Sequence, residues 1–139
     1  LVGSEMCIRD SFKIHAIHDF PVCVIEPEVV VPGYSQQWQR EIDALVTRGE
    51  PFVLIYREPG DDEPHEDRKA RAQWLKQNKG RFADLCPGII SVLADAGRRA
   101  HFDGMGKMGE QAFGVRYRTA ATLEEALVLA RRLLEDRGA

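Results

Sequence analysis

Four basic side chains, Arg98, Arg99, His101 and Lys107, fall in one short stretch of this chain. Gathered near a helix N-terminus, such a set would hold an anion: phosphate, carboxylate or a lipid headgroup. Spread along a surface, it would be a solvated basic face. Phe102, Met105 and Met108 are interleaved with these cations, and Phe113 follows. Soft apolar side chains of this kind rim an adaptable pocket or docking surface, or else fill a core. The same stretch spells Gly104-Met105-Gly106-Lys107-Met108-Gly109, a literal G-x-G-x-x-G. A dinucleotide fingerprint sits directly between a strand and a helix and has an acidic partner further on. Here about ten residues separate Gly104 from the preceding apolar run, and no Gly-Lys-Ser/Thr ending follows. The glycines read as a flexible loop.

Other constellations are weaker. His15-x-x-His18-Asp19 invites a metal reading. Positions three apart on a strand point to opposite faces, so the two imidazoles would not share an ion there. The run Asp61-Asp62-Glu63-Pro64-His65-Glu66-Asp67 lacks the spacing of a calcium loop and fits an acidic helix start. Cys23 and Cys86 stand far apart in apolar surroundings, as buried free thiols do, and form neither a disulfide framework nor a zinc pattern. No nucleophile, base and orienting group can be read together. No catalytic residue, metal or cofactor is expected.

The elements that must position these residues follow from periodicity. FKIHAIHD (12–19) reads as a strand, and VCVIEPEVVV (22–31) as a second, interrupted at Pro27. Their short join predicts an antiparallel hairpin. Ser35 caps a helix carrying Trp38, Ile42, Leu45 and Val46 on one face and stopping at Gly49. PFVLIY (51–56) is continuously apolar, as a central parallel strand is. Pro64 opens the longest helix, to about Leu85, with Leu75, Phe82, Leu85 and Cys86 as its stripe and Trp74 beside it. IISVLA (89–94) is another buried strand. Between Asp95 and Gly114 five glycines dilute any helix, which predicts a short or frayed one with a mobile loop. VRYR (115–118) alternates as a strand. Thr122-x-x-Glu125 is a capping box before a final amphipathic helix. Strands alternating with helices give a layered α/β domain.

The segments GEPFVLIY, RAQWLKQNKGRFADLCPGIISVLAD and FGVRYRTAATLEEAL resemble the STAS-like family, relatives of the anti-sigma-factor antagonists that are grouped loosely with CRAL-TRIO lipid-transfer domains. The resemblance spans nearly all of residues 12–137. It implies a single α/β domain with a mixed, mostly parallel sheet of about five strands and helices mainly on one face. It supplies no settled activity. In the antagonist branch a Ser or Thr near a helix N-terminus is phosphorylated to switch partner binding. Here the loops after PFVLIY and IISVLA hold no such hydroxyl, and Ser91 lies inside its strand, as a core residue would. The phosphoswitch form of the family's function is therefore not expected.

Composition bounds the rest. The 139 residues are 44% hydrophobic and 29% charged, which suits one globular core and not disorder. A formal net charge of −3 provides no overall attraction to nucleic acid or an anionic membrane. No transmembrane run is present. The opening LVGSEMCIRDS resembles the translation of a sequencing-library adapter and lacks the regions of a secretory signal. Residues 1–11 are thus expected to be a non-native tail, and 12–139 the domain. A cytoplasmic monomer or homodimer is the expectation. The expected function is a non-enzymatic regulatory or protein-interaction module, presenting the loops after PFVLIY and IISVLA to an unknown protein partner. The alternative is a carrier or sensor of a small apolar or anionic, lipid-like molecule. Its pocket would lie between residues 95–113 and the sheet, with Arg98 and Arg99 on the headgroup. An apolar cavity under residues 102–113 would favour that alternative.

Overall fold

The computed structural model describes residues 12–60 and 63–138. The expected tail, Asp61 and Asp62 lie outside them. The described chain is one α/β domain built on four strands. These are β1 (Val22–Ile25), β2 (Val53–Arg57), β3 (Ile89–Val92) and β4 (Tyr117–Ala120), in the order β1-β2-β3-β4 and parallel throughout. Helix α1 (Ser35–Arg48) joins β1 to β2. Helices α2 (His65–Gln77) and α3 (Lys79–Leu85) join β2 to β3. Helix α4 (Ala96–Phe113) joins β3 to β4, and α5 (Leu123–Gly138) follows β4.

This order explains the layers. Parallel crossovers are right-handed almost without exception. When successive strands are always added on the same side, every crossover falls on one face of the sheet. The two apolar clusters follow that rule. One joins Cys23, Ile25, Leu54 and Ile89 of the strands to Trp38, Ile42, Trp74, Leu75 and Phe82 of α1–α3. The opposite face carries Val22, Val53, Ile55, Ile90, Val92 and Ala120, and only α5 covers it, through Ala126, Ala130 and Leu133. PFVLIY is central as its composition requires: Phe52 to Ile55 are fully buried.

The sheet departs from the expected count and mixture: four strands, all parallel, in place of about five in a mixed sheet. The expected hairpin is absent. Residues 12–19 form only one antiparallel bridge, Ala16 to Val24. The reason is Glu41 of α1. Its carboxylate accepts the backbone N–H groups of Lys13, Ile14 and His15, at 2.7 to 3.1 Å, and the His15 ring Nδ1 lies 2.8 Å away. These amides are committed to a side chain and cannot build a ladder. β1 stops before Pro27, which opens a short 3₁₀ turn, Pro27–Val29.

The long helix is broken at Asn78, which leaves helical geometry at φ −114° while its backbone N–H and its side-chain amide both donate to Trp74 O at 2.9 Å. Ser35 is the first helical residue, and its hydroxyl donates to Asp67 Oδ1 of α2 at 2.7 Å. Asp67 also accepts from Gly33 N and Ser35 N, so a remote carboxylate caps α1. The final capping box forms: Glu125 N donates to Thr122 Oγ1, and the Glu125 carboxylate accepts from Ala121 N.

The largest correction concerns residues 95–114. They form neither a frayed helix nor a loop but the 18-residue α4. Asp95 caps it by accepting from Arg98 N at 2.8 Å, and Gly114 ends it at φ 73°. Its glycines have a packing role. A Cβ built on Gly106 would sit 2.8 Å from Tyr117 Cβ, and one on Gly109 2.8 Å from Tyr117 Cε2. Without side chains at these positions α4 lies directly on β4. The gain in packing offsets the helix-propensity cost of about 1 kcal/mol per glycine.

Candidate functional site

The strand register builds the floor of a site. Tyr56 of β2 pairs with Ser91 of β3, and Ser91 pairs with Thr119 of β4. These three hydroxyl-bearing residues form a row across three parallel strands, near their carboxyl ends, with the Tyr56 oxygen reaching up to Trp38. The next row on the same face is Leu54, Ile89 and Tyr117. A polar row thus lies beside an apolar one, because alternation sends residues two apart to the same face.

α4 is held over this floor but does not fill it. Thr119 Oγ1 donates to Asp103 Oδ1 at 3.0 Å, and Gly106 and Gly109 sit on Tyr117. Between α4, α2 and the strands lies a cavity of about 360 Å³. Five aromatic side chains line it: Trp38, Tyr56, Phe102, Phe113 and Tyr117. Leu75, Ile89 and Met105 add apolar wall, and Ser91 and Thr119 reach it from the floor.

Three arginines line the same cavity: Arg68 and Arg71 from α2, and Arg118 from β4. No carboxylate does so among the described residues. Arg71 is the most enclosed. Its Nε and Nη2 each donate to one oxygen of Glu63 at 2.6 Å, and its guanidinium lies 5.8 Å from the centre of the Trp38 ring. Burial would lower the Arg71 pKa, but the Glu63 hydrogen bonds reverse that and hold it above its usual value. Glu63 is itself pushed up by burial and drawn down more strongly by Arg71, so it stays ionised. The Tyr34 hydroxyl donates to the same carboxylate. Tyr56 accepts from Trp38 Nε1 at 3.2 Å and donates to no described residue. Burial raises the pKa of Tyr56 and of Tyr117, so both keep their phenolic protons at neutral pH.

The expected cation patch is not assembled. Arg98 Nη2 donates to Pro59 O at 2.7 Å, and its guanidinium lies 5.4 Å from the Phe102 ring centre. Arg98 therefore ties the loop after β2 to the rim helix. Arg99 Nη1 donates to Leu93 O and Ala94 O, capping the end of β3. His101 is exposed with its ring against Phe102, and Lys107 is exposed. At about 3.6 residues per turn Lys107 falls on the side of α4 opposite Arg98. Of the expected rim residues, Phe102, Met105 and Phe113 line the cavity, whereas Met108 is 72% exposed and does not.

The other candidates are also placed. His15 is buried against Glu41, while His18 is 73% exposed beside Asp19, so the pair is apart. Glu63 and Asp67 of the acidic run are engaged by Arg71 and by the start of α1. Cys23 and Cys86 are buried and in no disulfide among the described residues; the Cys86 thiol donates to Gly88 O at 3.2 Å, and burial pushes Cys23 up to about 12. Among the described residues no three His, Cys, Asp or Glu side chains gather to hold a metal ion, and no helix is long and apolar enough to cross a membrane.

Sequence reasoning missed Arg71, Tyr56, Ser91 and Thr119. A signal for three of them existed. Each is a hydroxyl on a strand, at an offset that alternation places on the helix-rich face. Comparison with known proteins adds nothing further: no family model, curated protein or solved structure matches this chain.

Proposed function

We propose that this domain binds a small molecule with an apolar, ring-sized body, as a carrier or sensor rather than a catalyst. The observation that carries this reading is the cavity under α4. Its volume of about 360 Å³ falls in the range of small-molecule sites, and its apolar walls with a few convergent polar groups have their usual character. It lies towards the carboxyl ends of parallel strands, where open α/β sheets take their ligands. Among the described residues no histidine, cysteine or lysine lines it.

The alternative of a protein-interaction module rests on the loops after β2 and β3. Those loops are bound to each other: Glu58 N donates to Val92 O, Ala94 N to Glu58 Oε1, and Arg98 to Pro59 O. The groups named here are spent within the domain, which favours the pocket. Kinship with STAS-like domains stays part of this proposal. It is supported by a layout with most helices on one face, and it must accommodate an all-parallel sheet.

The test is uptake of benzene, followed by NMR of the Leu75 and Ile89 methyl groups in the full chain. Saturable shifts are expected in the wild type. They should vanish in Ala72→Phe, a change at the cavity wall, whose folding is checked by circular dichroism. No response in the wild type up to saturated benzene would overturn the reading. A stoichiometric adduct, found by comparing native with denatured mass after gentle purification, would identify the natural occupant.

A further inference from the structure

The character of the occupant's polar end can be read from the polar groups around the cavity. Arg68, Arg71 and Arg118 line it. Glu63 offsets one of these charges, lying 2.6 Å from Arg71 and 3.9 Å from Arg68. Glu110 offsets another, 3.7 Å from Arg118. Asp103 adds a third carboxylate, 3.0 Å from the lining Thr119 hydroxyl, so the described charges nearly balance and an acidic ligand has to be recognised by hydrogen-bond donors.

The donors are arranged to match. Glu63 takes the Nε and one Nη2 proton of Arg71, so the Nη1 protons keep their capacity to donate. The Tyr56 hydroxyl accepts from Trp38 and has its own proton to give. Ser91, beside it in register, has a hydroxyl that bonds to no described residue. A planar oxyanion can take a guanidinium and hydroxyl donors together, as charge-assisted hydrogen bonds. Beyond the hydroxyl row the walls are aromatic: Phe102, Phe113 and Tyr117 flank the apolar row that contains Ile89.

Resting on the binding reading above, we infer that the occupant is a small aromatic carboxylate. Its carboxylate meets Arg71, Tyr56 and Ser91 at the carboxyl edge of the sheet, and its ring lies beneath α4.

Calorimetry of the full chain with 3-phenylpropanoate and with its neutral analogue 3-phenylpropanamide tests this. The carboxylate is expected to bind at least tenfold more tightly than the amide. Arg71→Gln should remove that preference. Because that change strands Glu63 in a buried site, Tyr56→Phe serves as a second variant. It keeps the ring and deletes the donor, and it should weaken the carboxylate several-fold more than the amide. Equal affinity for the two probes would overturn the carboxylate assignment and leave the cavity reading intact. So would failure of both to bind while benzene still saturates the site. Failure of benzene as well would overturn the cavity reading, and this inference with it.

Discussion

The two faces of the sheet are finished in opposite ways. On one, α5 lays Ala126, Ala130 and Leu133 onto six apolar strand side chains, and small residues let the helix come close. On the other, β2, β3 and β4 present Tyr56, Ser91 and Thr119, and α4 is anchored to β4 so that it overhangs the floor. The same strands supply both faces, one residue out of step. Close packing on the α5 side gives the stability that lets the α4 side remain incompletely filled.

Adjacent residues of β3 should therefore respond in different ways. Ile90 is fully buried on the α5 face. Ile90→Ala should cost about 2–5 kcal/mol, read as a lower urea midpoint with an unchanged slope. Ser91 points to the cavity, and Ser91→Ala should stay within about 0.5 kcal/mol of the wild type. Its effect should fall on affinity for 3-phenylpropanoate instead. A large stability loss in Ser91→Ala would mean that the cavity face is as structural as its opposite.

A second contrast lies within the helix-rich face, between the apolar walls and the polar clamp at Glu41. This carboxylate is 2% exposed. Burial would raise its pKa, but the His15 ring and the N–H groups of residues 13–15 outweigh that and bring it to about 2. The folded pKa thus lies below the unfolded value of about 4.3. By linkage the clamp's stability is fully present above that value and lost as pH falls towards 2. The loss is on the order of 3 kcal/mol. Glu63 and Asp67, also drawn down, contribute in the same direction. Urea midpoints at pH 6 and pH 3 should converge more in Glu41→Gln than in the wild type. An equal pH response in the two proteins would remove Glu41 from the account.

Much of this arrangement was legible in the residues. Runs such as PFVLIY could only be buried strands, and the Trp38, Ile42, Leu45 and Val46 stripe could only face a core. What escaped depended on contacts remote in sequence. Residues 12–19 have a strand's pattern, but Glu41 takes their amides, and no local rule links position 41 to position 15. Arg71 sits on a helix rich in charge, and nothing in its neighbours marks it as the arginine that turns inward. Tyr56, Ser91 and Thr119 become a row only when the parallel register is known. Phe102, Met105 and Phe113 were legible as apolar. Their common face required α4 to be a helix, and the glycines argued against one.

Those glycines provide the finest test, because propensity and packing predict opposite signs within one helix. Around Gly104 there is open space: a Cβ there meets nothing within 4 Å. Gly104→Ala should stabilise by about 0.5–1 kcal/mol, the ordinary gain in a helix interior. Gly106 has the same propensity to gain, yet its Cβ would lie 2.8 Å from Tyr117 Cβ, an atom fixed to the strand backbone. α4 would have to lift off β4, and overpacking of this kind costs about 1–3 kcal/mol. Gly106→Ala should therefore be destabilising on balance, by a few tenths to about 2 kcal/mol once the helix gain is subtracted. Lifting α4 also moves the roof over the hydroxyl row, so the methyl shifts with benzene should change in Gly106→Ala and not in Gly104→Ala. If both variants stabilise, α4 is not held to β4 by close approach at Gly106, and the geometry of the cavity roof must rest on polar ties such as Thr119–Asp103 and Arg118–Glu110.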